Sequence, residues 1–236
     1  MTGSISHPDP ATRRAALGRF LGALNGELRA AAAARAEGDV AESLRDFTRL
    51  LGAIDADRAA REPAGPPERL GVCRFWEASL RAADGIPPAL VAALETLGPC
   101  LSWAQNPNYR RRPPDPTFLD HYGYAVVAGP ADGPPALAVD SRLAVGVLLL
   151  GPGAHYPLHA HPAIEVYYTL TAGAAWWRAD GPWRCEPAGA FIHHEPGVRH
   201  ATRAGASPLL AVYLWRGDLA THARLTPSAS NRTSRV

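Results

Sequence analysis

The segment HYPLHAHPAIEVYYTL (155–170) concentrates side chains that can hold a metal ion. Two imidazoles at i and i+2, His159 and His161, can ligate one divalent cation, and Glu165, four residues on, adds an oxygen donor. In an extended strand, side chains of equal parity share a face. His159, His161, Glu165 and Tyr167 are therefore expected to project into one cavity, with Ile164, Val166 and Leu170 packed behind them. Pro162 predicts a bend after His161 that can perturb this parity. A distant histidine would complete a set of three imidazoles and one carboxylate. His200 leads, because in EPGVRH a Pro-Gly turn precedes a histidine that opens the next strand, and His193 and His194 are its rivals. Such a set suits one divalent transition metal (Fe, Mn, Co, Ni or Zn) with positions left open for substrate, and it does not choose among them.

The elements around this segment are short strands. TFLDHYGYAVVAG, LAVGVLLLG, AIEVYYTLT, AAWWRAD, WRCE, AFIHH, RHATR and PLLAVYLW are rich in β-branched or aromatic residues, and turns such as GPG, TAG, DGP, PAG and EPG separate them. That spacing predicts an antiparallel sandwich or barrel. Residues 1–105 read instead as an α-helical N-terminal region. Asp9-Pro10 forms an N-cap and N1 pair, followed by Leu17, Phe20, Leu21, Leu24 and Leu28 at helical spacing. Asp39, with Glu42 three residues on, resembles a capping box and predicts a second helix whose apolar face carries Val40, Leu44, Phe47, Leu51 and Ile54. Shorter helices are expected around Cys73–Ala83 and Pro88–Leu97, with Gly98 as a stop. Residues 106–117 read as a Pro/Arg-rich linker whose arginines form a solvated surface, 118–219 as the barrel that carries the metal site, and 220–236 as a flexible Ser/Thr-rich tail.

Composition removes several classes of function. Among 236 residues the 24 basic side chains are all arginine, so a lysine Schiff base and a P-loop lysine are excluded. A net charge of +2 argues against nucleic acid as partner. Cys73, Cys100 and Cys185 lie far apart with no CxxC, which points away from a disulfide scaffold or a thiolate zinc site and towards a reducing compartment. No stretch reaches the roughly 18 apolar residues of a membrane span, and the N-terminus lacks a signal-peptide core, so a cytoplasmic protein is expected.

HxHxxxE followed by PGxxH resembles the two motifs of the cupin superfamily, GPGAHYPLHAHPAIE for the first and EPAGAFIHHEPGVRH for the second. Pro196 and Gly197 are adjacent here, where the second motif splits them by one residue, and this leaves His193, His194 and His200 open. The resemblance implies a mainly β fold, the cupin double-stranded β-helix or antiparallel jelly-roll barrel, with an α-helical N-terminal subdomain added. Tyr156 before HAH, Tyr167 after the glutamate, the helical N-terminal region and HATRAGASPLLAVYLWRGDL together resemble the bacterial cupin-type dimethylsulfoniopropionate (DMSP) lyases. That resemblance covers about residues 118–219. It implies β-elimination of DMSP to dimethyl sulfide and acrylate, metal ligands His159, His161, Glu165 and His200, Tyr167 as base, and Tyr156 as its helper or a substrate contact.

The residue types suit such a reaction. The proton to be removed lies beside a carboxylate, so a bound cation stabilises the charge that develops, and it also favours the phenolate of a nearby tyrosine. The sulfonium leaving group is a cation with no hydrogen to donate and is best held by aromatic faces, for which Tyr122, Tyr156, Trp177 and Trp215 are candidates. Two other readings keep the barrel. An iron dioxygenase of a small acid or thiol would need Fe(II) and O₂, and a non-catalytic small-ligand-binding cupin would bind without turnover. The expected partner is a small sulfonium carboxylate, and an amphipathic helical layer beside a barrel is compatible with a homodimer.

Overall fold

Asp9 starts the first helix: its Oδ1 accepts from the backbone N–H groups of Ala11 and Thr12 at 3.0 Å each, and Pro10 takes the first helical position. The computed structural model describes residues 8–61 and 65–226. Helix α1 (Pro10–Ala33) buries Leu17, Phe20, Leu21, Leu24 and Leu28, the expected stripe. Helix α2 (Asp39–Gly52) buries Leu44, Phe47, Leu50 and Leu51. Its start corrects the capping-box expectation: Gly38 is the N-cap at φ 145°, a backbone conformation that favours glycine, and no side chain caps the turn. Asp39 and Glu42 then lie in the first turn, where acidic groups favour the helix dipole. The short helices α3 (Ala56–Ala59), α4 (Trp76–Arg81) and α5 (Pro88–Leu97) complete the helical layer, with a 3-10 turn over Gly71–Phe75 before α4. Gly98 caps α5 and continues into a second 3-10 turn. No helix among the described residues is long and apolar enough to cross a membrane.

Two facing sheets follow. The first is seven-stranded, in the order β1 (Trp103–Ala104), β2 (Tyr122–Gly129), β4 (Leu143–Leu150), β11 (Leu209–Arg216), β6 (Ile164–Thr169), β9 (Phe191–His194), and β3 (Ala136–Val139) pairs with β2. The second has the order β12 (Arg224–Leu225), β5 (His155–Ala160), β10 (His200–Arg203), β7 (Ala175–Arg178), β8 (Arg184–Cys185). Among the named strands, all pairings but β2–β3 are antiparallel, as expected for a jelly-roll barrel. Strand alternation divides the first sheet between two cores. Val145, Val147, Leu149, Val166, Tyr168, Leu210, Val212 and Leu214 join the core built by α1, α2 and α5. Their neighbours Leu148, Leu150, Tyr167, Ala211 and Tyr213 join the barrel interior. Strands buried on both faces read as continuous apolar runs, which accounts for LAVGVLLLG and PLLAVYLW. Each large aliphatic or aromatic side chain so buried contributes about 1.5–3 kcal/mol.

Two boundaries differ from the sequence expectation. The 106–117 segment contains helix α6 (Pro107–Arg111), capped by the Asn106 side chain, and its Tyr109 is fully buried against Phe118, Tyr122 and Tyr156. Arg110, Arg111 and Arg112 stay on the surface. Beyond 219, β12 pairs with β5, and the Asn106 and Asn108 side-chain amides both donate to the Ala223 carbonyl, at 2.9 and 3.1 Å. Those bonds hold the end of the barrel against α6. The rest of the expected tail, 227–236, lies outside the described residues.

Candidate metal centre and its aromatic cleft

The parity expectation holds for a reason other than a single strand. β5 belongs to one sheet and β6 to the other, and the chain crosses between them at His161, Pro162 and Ala163. His159 and Glu165 therefore face each other across the barrel instead of lying along one strand. β5 also carries a bulge: His200 pairs with His159 and Thr202 with Tyr156, so two steps on β10 oppose three on β5. Pro157 sits in that bulge. It brings Tyr156 and His159, of opposite parity, to the same interior face.

Glu165 is the hub. Its Oε2 lies 3.2 Å from His161 Nε2, 3.2 Å from His200 Nε2 and 3.0 Å from His194 Nδ1. Its Oε1 accepts from Trp215 Nε1 at 2.5 Å. Register builds this arrangement: Trp215, Glu165 and His194 stand directly opposite one another on β11, β6 and β9, so all three share the interior face.

The tautomers follow from the backbone. Nδ1 of His159, His161 and His200 lies 2.8, 3.1 and 2.9 Å from the carbonyls of Pro157, Ala163 and Val198. A carbonyl only accepts, so each Nδ1 carries a hydrogen, and Nε2 is the nitrogen turned to the barrel interior. His161 and His200 aim Nε2 at the same carboxylate oxygen. The donor atoms of His161, Glu165 and His200 all lie within 4.8 Å of one another, close enough to share one cation. Nε2 of His194 and of His200 has no hydrogen-bond partner among the described residues. This donor set fits a divalent transition metal.

The charges agree. Burial alone would raise the Glu165 pKa, but His161, His194 and His200 outweigh it and hold the carboxyl well below its usual range. Burial, reinforced by His200, pushes His194 down to about 3 and His159 well below the usual imidazole range. Glu165 is thus an ionised carboxylate with the neutral rings of His159 and His194 beside it.

Not every expected residue arrives. His159 stands outside the group of three donors; its ring stacks on Tyr156 at 4.0 Å between centroids and meets His200 edge-on at 4.1 Å. His193 points away, to Ser43 on α2, and is no rival for the metal, whereas His194 sits in the cluster, 3.9 Å from the His200 ring. Trp177 is a correction: it pairs with Ala201 on the outer face of β7, and its neighbour Trp176 turns inward to within 5.0 Å of Tyr167. The interior belongs to the parity of Trp176, Thr202 and His200.

Above Glu165 opens a cleft of about 100 Å³. Tyr122, Tyr124, Tyr156, Tyr167, Tyr213 and Trp215 line it. Tyr124 and Tyr213 were not singled out from the sequence, yet each lies two residues from a strand residue that was, Tyr122 or Trp215, and so shares its face. Asn106 and His222 also line the cleft, and nothing local in the sequence announces them. The Tyr156 hydroxyl donates to that of Tyr109 at 3.3 Å. Burial, then the Glu165 carboxylate, raises the Tyr167 phenol well above its usual pKa.

Residues 43–211 match the profile of the dimethylsulfoniopropionate lyase family. The chain is 38% identical over 109 residues to the dimethylsulfoniopropionate lyase DddQ of Ruegeria pomeroyi, a match that spans 46% of this chain and about half (52%) of that protein. It is 36% identical over 177 residues to a putative dimethylsulfoniopropionate lyase, DddL, of Cereibacter sphaeroides, across 74% of this chain and 70% of that one. The crystal structure of DddQ from Ruegeria pomeroyi superposes with a TM-score of 0.64 at 25% identity, covering 89% of this chain and 96% of that one.

Proposed function

The chain belongs to the dimethylsulfoniopropionate lyase family, and on that premise we propose that it is a carbon–sulfur lyase that splits DMSP into dimethyl sulfide and acrylate by β-elimination. The observation that carries the reading is the convergence of Glu165, His161 and His200 on one buried point beneath an aromatic cleft. His161, Glu165 and His200 would hold the metal, with His194 and His159 packed against them. A divalent cation bound there supplies positive charge that stabilises the developing negative charge beside the substrate carboxylate and counters the burial that keeps Tyr167 protonated.

The remaining work falls to the chain itself. Tyr167, once its own hydroxyl proton has gone to solvent, takes as phenolate the proton α to the carboxylate and becomes the neutral phenol, and as the carbon–hydrogen pair becomes the new C=C bond, the carbon–sulfur bond breaks and dimethyl sulfide leaves with its electron pair. Tyr122, Tyr124, Tyr156 and Trp215 face the sulfonium with aromatic surfaces, each worth about 0.5–2 kcal/mol for a desolvated cation. Tyr156, fixed between the His159 ring and the Tyr109 hydroxyl, orients the substrate and does not move with it.

The direct test is headspace gas chromatography for dimethyl sulfide after incubation with DMSP under nitrogen, with and without a chelator. Chelator-sensitive release without oxygen is the expected result. Protein that carries its metal and releases none would sink the substrate assignment.

A further inference from the structure

Helix α2 touches the barrel at two polar points. Ser43 Oγ and His193 Nε2 lie 3.0 Å apart, both groups buried, and the Asp46 carboxylate pairs with Arg216 at 3.2 Å, each side chain about a quarter exposed. Ser43 and Asp46 are three residues apart, one turn on the same helix face. Their partners are not scattered over the sheet. His193 immediately precedes His194 on β9, and Arg216 immediately follows Trp215 on β11. His194 and Trp215 grip Glu165 from either side, at Oε2 and Oε1. β6, which carries Glu165, runs between those strands.

From this we propose that α2 is a positioning clamp for the Glu165 carboxylate. Ser43 and Asp46 fix, from the outer face, the strands whose inner faces present His194 and Trp215. A rotation or slide of β9 would change the His194 bond to Glu165 and one of β11 the Trp215 bond, so a helix that fixes both strands sets the orientation of the carboxylate without touching it. A third bond stiffens the same corner: Arg178 Nη1 on β7 donates to the His193 carbonyl at 2.6 Å and ties the opposite sheet to β9. The clamp gives the helical region a role in the site's geometry beyond covering a sheet. Ser43 and Asp46 are positioning residues, and the inference rests on the reading of Glu165 as a metal ligand.

The test uses the full chain stripped of metal by chelation and titrated with Co²⁺, followed by visible absorption, alongside kcat and KM for DMSP. Ser43→Ala and Asp46→Asn should each raise the Co²⁺ concentration at half-saturation by about three- to tenfold and lower kcat more than they raise KM, less than the roughly 10- to 100-fold of a group bonded to the ligand itself, because each acts through one further contact. Ser43→Thr, which keeps the hydroxyl, should return within about twofold of the parent, and the charge swap Asp46→Arg with Arg216→Asp should recover most of what Asp46→Arg alone loses. Folded Asp46→Asn and Ser43→Ala proteins that titrate like the parent would overturn the clamp. So would Ser43→Thr as impaired as Ser43→Ala. If Ser43→Ala does not fold, Asp46→Asn decides alone by the same threshold. A parent chain that takes up no Co²⁺ overturns the clamp together with the metal site it serves, whereas one that takes up Co²⁺ but releases no dimethyl sulfide overturns only the lyase reading.

Discussion

Trp215 and Glu165 stand directly opposite each other on neighbouring antiparallel strands, and the indole Nε1 donates to Oε1 at 2.5 Å. The bond occupies one carboxylate oxygen and leaves Oε2 to face the imidazoles. The same indole lies 4.1 Å, between centroids, from the His161 ring. Trp215→Phe keeps an aromatic wall but removes the donor, so Glu165 becomes free to rotate. Metal affinity should fall about 10- to 100-fold, as when a group that orients a metal ligand is lost. Equilibrium dialysis of the variant against the parent measures it, and an unchanged affinity would remove Trp215 from that role.

Tyr167→Phe separates chemistry from binding. The phenol is buried between Trp176 and His194, so the ring can keep its packing when the hydroxyl goes. Dimethyl sulfide release should drop by about 10²–10⁴-fold, the range for loss of a general base, while the metal content stays at the parent level. Retained turnover would transfer the base to another group, with Tyr156 next in line.

Two histidines that are equivalent in the sequence motif should behave differently. His161→Ala takes a donor from the group of three and should abolish metal retention after dialysis. His159→Ala leaves that group whole but removes the ring that supports Tyr156. It should keep most of the metal and lose activity chiefly through KM. Elemental analysis of both variants decides: equal loss of metal from each would mean that His159 is also a ligand.

The contrast between these histidines also marks how far the sequence reading could reach. Strand alternation and the HxHxxxE spacing brought out Glu165, His161 and Tyr167, because period-two parity is a local property. Applied once more, it would have added Tyr124 and Tyr213 from Tyr122 and Trp215. Parity could not choose between Trp176 and Trp177, since either phase fits AAWWRAD and the choice rests on pairing with Thr202. Nor could it separate His159 from His161, because the bulge at Pro157 and the crossing between sheets decide which donor reaches Glu165. His194 needed the register of β9 against β6. Tyr109 and Asn106 sit in a stretch whose prolines and arginines signal a loop, and only tertiary packing buries them. The helical layer was legible from its apolar spacing, but its two polar contacts with the barrel depend on partners about 150 and 170 residues away in the chain.

Acid should weaken the metal-free protein in a defined window. His194 titrates near 3 in the folded state and near 6.5 when unfolded, mainly because burial disfavours its charge. Between those values the unfolded chain binds a proton that the folded chain refuses, so stability falls as pH drops below about 6.5, by up to about 1.4 kcal/mol per pH unit for each such group. His159 shifts in the same direction. Glu165, held below its usual 4.5, adds stability above that value that is lost as pH falls further. Thermal midpoints of chelator-treated protein should be level above pH 7 and decline from 6.5 to 5, and His194→Asn should flatten that decline. A midpoint constant from 7 to 5 would contradict the neutral buried ring.

Gly146 is the tightest point behind the cleft. It lies mid-strand on β4, opposite Tyr213 on one side and Val126 on the other. A Cβ there would press into the Ala125 carbonyl oxygen and come within 2.6 Å of the Tyr213 hydroxyl. The absent side chain is what lets the Tyr213 phenol lie across the strand and form a wall of the cleft. Gly146→Ala should therefore cost about 1–3 kcal/mol by overpacking, even though alanine suits a strand better than glycine. At this chain length that is roughly 2–4 °C of thermal midpoint per kcal/mol. Adding Tyr213→Phe removes the clash with the hydroxyl but not the one with the backbone carbonyl, so the pair should recover only part of the loss. Calorimetry on the single and double variants checks both statements, and full recovery in the double variant would place the strain on the phenol alone.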